Sequence, residues 1–135
     1  MKNKKNDLAL LIDAARAARK NAHAPFSKFK VGAAVRAKSQ KIYSGCNVEN
    51  ASYGLTVCAE RIAIFKAVSE GERSGFDVIV VVTDTQTLTP PCGACRQIIW
   101  EFCGDIKVVL ANLKGKTQSF RMSELFPHPF DAASL

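Results

Sequence analysis

Cys58, Cys92 and Cys95 are the residues in this 135-residue chain whose type and spacing could carry chemistry together. Cys92-Gly93-Ala94-Cys95 sets two thiols three residues apart, so both face one side of a first helical turn if Cys92 opens a helix. That spacing suits a metal and equally suits a redox pair. Cys58-Ala59-Glu60 supplies a third thiol at the start of another helix-like segment. Two helix N-termini can then converge on one ion, and their positive dipole ends favour thiolate over thiol. Three protein ligands leave the fourth tetrahedral position open, as in catalytic zinc sites. Glu60 lies close enough to such an ion to take a proton from its water. Alone it would read as a first-turn glutamate favoured by the helix dipole. Three thiolates around one zinc carry a net negative charge, and Arg61, donating to the sulfurs, would offset it. Arg96 beside Cys95 reads equally well as a surface arginine.

These residues need elements to hold them. Leu8, Leu11, Ile12 and Ala15 repeat at helical spacing and predict a helix over 7–22, with Asn6 or Asp7 as its cap. Apolar runs at 31–37 and 42–46, separated by Lys38-Ser39-Gln40-Lys41, predict a β-hairpin. A second helix is expected over 58–70 with Gly71 as its stop, and a third over about 92–102 after Pro91. Val78–Val82 and Ile106–Leu110 read as strands covered on both faces. A weaker strand near 117–120 and a short helix near 123–126 follow. Helices alternating with strands imply crossovers and an α/β fold: a three-layer α/β/α sandwich around a mixed sheet of about five strands. Length sets the expectation of one domain over 1–135.

Composition narrows the class. A hydrophobic share of 47% suits a globular core. No stretch approaches the ~20 apolar residues of a spanning helix, so no membrane partner is expected. The basic start, MKNKK, is followed by only a short apolar run broken by Asp13 and Arg16, which argues against a secretory signal. A cytoplasmic location follows, and five cysteines, an odd number, there favour metal or free thiols over disulfides. The net charge of +7 gathers partly on Lys2, Lys4, Lys5, Arg16, Arg19 and Lys20. It reads as a solvated face, and no nucleic-acid partner is expected. Cys46 and Cys103 stand outside ligand spacing, and neither His23 nor His128 needs a metal.

The combination Cys-Ala-Glu … Pro-Cys-x-x-Cys resembles the zinc nucleoside and nucleobase deaminases, which often carry histidine where Cys58 stands. The likeness extends further. Ala24–Phe29, Val31–Ala34, Gly45–Tyr53, Thr56–Arg61, Phe65–Gly71 and Pro91–Gln97 resemble the small homotetrameric cytidine deaminases. Phe26 stands where a tyrosine is frequent, and Pro90 where a small polar residue is usual. The resemblance implies hydrolysis of cytidine and deoxycytidine to the uridine products and ammonia, within pyrimidine salvage. It implies one zinc per chain on Cys58, Cys92 and Cys95, a zinc-bound hydroxide attacking C4, and Glu60 as proton shuttle. It implies that Asn47 and Glu49 bond the ribose hydroxyls and that Phe29 packs on the pyrimidine. Ala51, Tyr53 and Phe130 match positions shared between neighbouring chains of a homotetramer. The rival readings are another small aminopyrimidine as substrate, a nucleic-acid deaminase or RNA-binding protein, and an inactive structural zinc module completed by Cys46 or Cys103. The Asn47–Glu49 pair favours a nucleoside over a free base.

Overall fold

The computed structural model describes residues 4–135, with side chains described from Asp7 onward. Helix α1 (Lys4–Arg19) packs on a sheet that begins with the expected hairpin, β1 (Val31–Ala37) and β2 (Ile42–Cys46). Helix α2 (Ala59–Ser69), strand β3 (Phe76–Thr83), helix α3 (Gly93–Cys103) and strand β4 (Lys107–Asn112) follow. Strand β5 (Thr117–Arg121) and the short helix α4 (Met122–Leu125) come last, apart from a 3-10 turn at Ala132–Ser134. The strands lie in the order β2-β1-β3-β4-β5. β3 and β4 are parallel and joined through α3, while the β1–β2, β1–β3 and β4–β5 pairs are antiparallel. The mixed five-stranded sheet with helices on both faces is thus the one expected.

The apolar runs of β3 and β4 are continuous because both faces are covered. Val78, Val80, Val82, Val109 and Ala111 turn toward α1, where they bury Leu11 and Ala15. The alternate residues Ile79, Val81, Val108 and Leu110 turn toward α2 and α3, against Ala63, Ile64 and Ile99. α1 approaches β1 so closely that a Cβ on Gly32 would lie 1.9 Å from the Ala15 carbonyl oxygen. α2 approaches β2 similarly: a Cβ on Gly45 would stand 2.7 Å from the Ala63 nitrogen. β5 closes the far edge with a largely exposed, polar strand.

Both ends of α1 differ from expectation. α1 already runs at Lys4, so Asn6 and Asp7 lie inside it and neither is its cap. Asp7 instead joins Arg36 at 3.6 Å, and Arg36 holds Asp77 at 3.0 Å. α1 also ends at Arg19, three residues before the expected end, and the chain turns through Lys20–Ala22 toward β1. The expected solvated basic face is described only in part: Arg16 and Lys20 are exposed and Arg19 is half-buried, while Lys2 and the side chains of Lys4 and Lys5 lie outside the described residues.

Candidate active site

Cys58 and Cys92 are the N-cap residues of α2 and α3, both in extended backbone. Neither uses its side chain to cap its helix, which leaves both sulfurs free for other partners. The two helix starts converge on the same side of the sheet. The Cys58 and Cys92 sulfurs stand 3.8 Å apart, and the Cys95 sulfur joins them with all three within 4.8 Å of one another. Cys95 is buried, Cys58 half-buried and Cys92 exposed. Cys46 and Cys103 stay outside the cluster, as do both histidines. Burial alone pushes the Cys103 thiol up to about 12, as for an inert interior thiol.

The electrostatics of the cluster are those of a donor set for a cation. Cys58 is lowered well below an ordinary thiol, first because Cys95 donates to it and then, against the cost of burial, because Arg61 and Cys92 do. Cys95 is raised for the reciprocal reason, its proton being held on the Cys58 sulfur, with burial adding to it. Left to themselves Cys58 and Cys95 divide the roles, Cys58 favouring thiolate and Cys95 keeping its proton. Holding all three as thiolates requires a positive ion between them. The sulfurs, two helix N-termini and an open side toward a cavity fit zinc in its catalytic form.

Arg61 reaches over the cluster from α2. Its Nη2 donates to the Cys58 sulfur at 3.6 Å and to the Thr56 carbonyl at 3.3 Å, while its buried Nε has no partner. The sulfurs raise its pKa still further, first through the Cys58 contact. Arg96 does something different. Its Nε donates to the Pro91 carbonyl at 2.8 Å and its Nη1 to the Leu125 carbonyl at 2.6 Å.

Glu60, in the first turn of α2, is 4% exposed beside the sulfurs. Desolvation lifts its carboxyl to about 7, and the negative Cys58 adds to the rise. A carboxylate with so high a proton affinity both takes and returns protons near neutral pH.

The cavity over Glu60, Cys58 and Cys92 has a volume near 210 Å³. Phe29, Asn47 and Glu49 line it as well, as does Thr83, at the C-terminal end of β3. A second cavity of about 370 Å³ shares Ser27, Glu49 and Thr56 with it and extends to Tyr53. Asn47 is buried, its Nδ2 donating to the Phe29 carbonyl at 2.7 Å and its Oδ1 accepting from the Val31 amide at 2.9 Å. Glu49 accepts from the amides of Phe26 (2.9 Å) and Ser27 (3.1 Å), and also from the Ser27 hydroxyl. These bonds, that from Ser27 foremost, hold its carboxyl below the usual range. Both residues therefore grip the segment that carries Phe29. Ala51 and Phe130 line neither cavity of their own chain, and Tyr53, in the 3-10 turn Tyr53–Leu55, is 80% exposed. The carbonyls of Thr56 and Val57 accept from Arg61 and from the Val48 amide. Ser27 carried no assigned role in the sequence, although it lies within the Ala24–Phe29 motif. Its place at the junction of both cavities depends on the fold of that loop.

Comparison with known proteins agrees with this geometry. Residues 5–112 match the family described as the cytidine and deoxycytidylate deaminase zinc-binding region. A cytidine deaminase of Halalkalibacterium halodurans is 51% identical over 130 residues, 96% of this chain and 98% of that one. One of Sporosarcina psychrophila is 49% identical over 130 residues, 96% of this chain and 95% of its own. The crystal structure of cytidine deaminase from Burkholderia pseudomallei superposes with a TM-score of 0.87 at 48% identity, covering 90% of this chain and 98% of that one. With the sulfur cluster, the buried glutamate and the five-stranded sheet in the same chain, this protein belongs to the cytidine and deoxycytidylate deaminase family.

Proposed function

We propose that the chain, acting as one catalytic domain, hydrolyses cytidine and deoxycytidine to uridine and deoxyuridine, releasing ammonia. The observation that carries this reading is Glu60: a buried carboxyl raised to about 7, beside three converging sulfurs, at the floor of a cavity. Zinc held by Cys58, Cys92 and Cys95 supplies Lewis acidity, acidifying water and stabilising negative charge as it develops on oxygen. Glu60 takes the proton of the attacking water and delivers it to N3, which makes C4 more electrophilic. A C4–O bond forms; Glu60, ionised again, takes the proton of the new C4 hydroxyl and gives it to the amino nitrogen, so that C4=O forms as the C4–N4 bond breaks and ammonia leaves. Arg61 offsets the charge of the sulfurs so that water remains acidic enough to serve. Phe29 packs against the pyrimidine. Asn47 and Glu49 face the ribose hydroxyls, and each keeps hydrogen-bonding capacity beyond its loop contacts: one N–H on Asn47, one lone pair on Glu49.

The site is completed in a homotetramer, in which Ala51, Tyr53 and Phe130 of neighbouring chains meet the substrate. Tyr53, on the wall of the larger cavity and 80% exposed, and Phe130, 60% exposed, are both available to a neighbouring chain, which supports this. Among the described residues no helix is long and apolar enough to cross a membrane. The reduced thiols suit the cytoplasm, where the reaction returns pyrimidine nucleosides to salvage.

The test is direct. Protein carrying one zinc per chain should consume cytidine and deoxycytidine, followed by their absorbance, and lose that activity to a chelator. Zinc-loaded protein that turns over neither nucleoside would overturn the proposal. Comparable turnover of free cytosine would remove the ribose roles of Asn47 and Glu49.

A further inference from the structure

Cys92 is the exposed member of the sulfur cluster, and the chain that delivers it, though anchored in the core by Leu88, has few hydrogen bonds to fix its backbone. Pro90 and Pro91 have no amide hydrogen to donate, and no backbone–backbone hydrogen bond falls on residues 85–91 among the described residues. Side chains hold this loop instead. Asn112 donates to the Thr85 carbonyl at 3.1 Å and Lys116 to that of Gln86 at 3.3 Å, both at the far end of the loop from Cys92. At the Cys92 end the donor is Arg96, whose Nε meets the Pro91 carbonyl at 2.8 Å. The other arm of the same guanidinium meets the Leu125 carbonyl at 2.6 Å, the last carbonyl of α4, which has no partner within its own short helix. That end of the molecule is firm: Met122 is wholly buried, and its amide donates to the Ile106 carbonyl at 2.9 Å.

We propose that Arg96 is a positioning residue for the metal site, a rigid strut that fixes the carbonyl preceding Cys92 against the buried end of α4 and so sets where the Cys92 sulfur stands. Both acceptors are neutral carbonyls, so the strut works through the planar fork of the guanidinium. A lysine keeps the charge but cannot reproduce that fork. Arg61, which touches a sulfur, and Arg96, which touches none, therefore do different work. The inference rests on the zinc reading of the cluster.

The experiment measures zinc affinity by competition with a chromophoric chelator, in wild type, Arg96→Lys, Arg96→Gln and Pro91→Ala. Circular dichroism checks the fold, and the thiolate-to-metal absorption of the cobalt-loaded forms reports ligand geometry. Both Arg96 variants should bind zinc about 10- to 100-fold more weakly, with a shifted cobalt spectrum. Pro91→Ala retains the carbonyl and should stay close to wild type. Full affinity in Arg96→Lys together with a loss in Arg96→Gln would make charge the cause and overturn the strut. So would unchanged affinity in both. A loss in Pro91→Ala as large as in Arg96→Gln would assign the positioning to proline stiffness. If neither Arg96 variant folds, Pro91→Ala still decides, near-normal affinity supporting the carbonyl anchor. Wild-type protein that binds no zinc would overturn the zinc reading and the strut together, whereas tight wild-type binding isolates the strut for judgement.

Discussion

Glu60 and Arg61 are neighbours on α2, and the proposed reaction gives them separable tasks, one moving protons and the other managing charge. Glu60→Gln preserves size and leaves the sulfurs untouched. It is expected to retain one zinc per chain while kcat falls by at least about 10³-fold, read by metal analysis and absorbance assay on the same sample. Near-normal turnover would dismiss Glu60 as the proton carrier. Arg61→Gln removes the donor to Cys58 and is expected to keep the fold but lower activity by about 10- to 100-fold. An unchanged rate and zinc content would leave Arg61 without its role. The sulfurs, Glu60 and Arg61 were legible in the sequence because residue type and local spacing define them. The grips of Asn47 on Phe29–Val31 and of Glu49 on Phe26–Ser27 were not. They span 16 to 23 residues and depend on how a loop returns to the sheet edge. Arg96 was ambiguous for the same reason, since its acceptors are backbone carbonyls, one of them 29 residues away.

At the scale of elements, the two tightly approached glycines separate stability from site geometry. Gly32 lies under α1, which carries none of the sulfurs, whereas Gly45 lies under α2, whose first turn carries Glu60. Alanine at either position forces helix and strand apart and is expected to cost about 1–3 kcal/mol or more. Both variants should show a lower Tm by calorimetry. Gly45→Ala alone should also weaken zinc retention, because α2 must shift away from α3. Equal zinc retention in the two variants would mean that α2 tolerates the shift without moving Cys58. The strands themselves were readable, since β3 and β4 are β-branched runs buried on both faces and β1–β2 a hairpin with a polar turn. The start of α1 was not: the amphipathic stripe begins at Leu8, but the helical backbone extends back through polar residues that the stripe cannot report.

For the whole molecule, the exposed aromatics Tyr53 and Phe130 set the expectation of association. Phe130→Ala should raise KM for cytidine by about tenfold with a smaller change in kcat, if the side chain closes a neighbour's site rather than its own. Sedimentation should find the wild type as a tetramer. A fully active monomer would refute the shared-site arrangement. The assembly of the sulfur cluster has a kinetic counterpart. Cys58 and Cys92 meet only after both flanking helices have docked on the sheet, and the central strand β3 pairs with partners distant in sequence, 31–37 on one side and 107–112 on the other. Such contacts form late, because the loops that precede them must close first. The metal site is then a lock applied to an already folded chain rather than a seed for folding. Stopped-flow refolding should run at the same rate with and without zinc, while the unfolding rate falls as zinc is added, so that the ion lengthens the life of the native state without hastening its arrival.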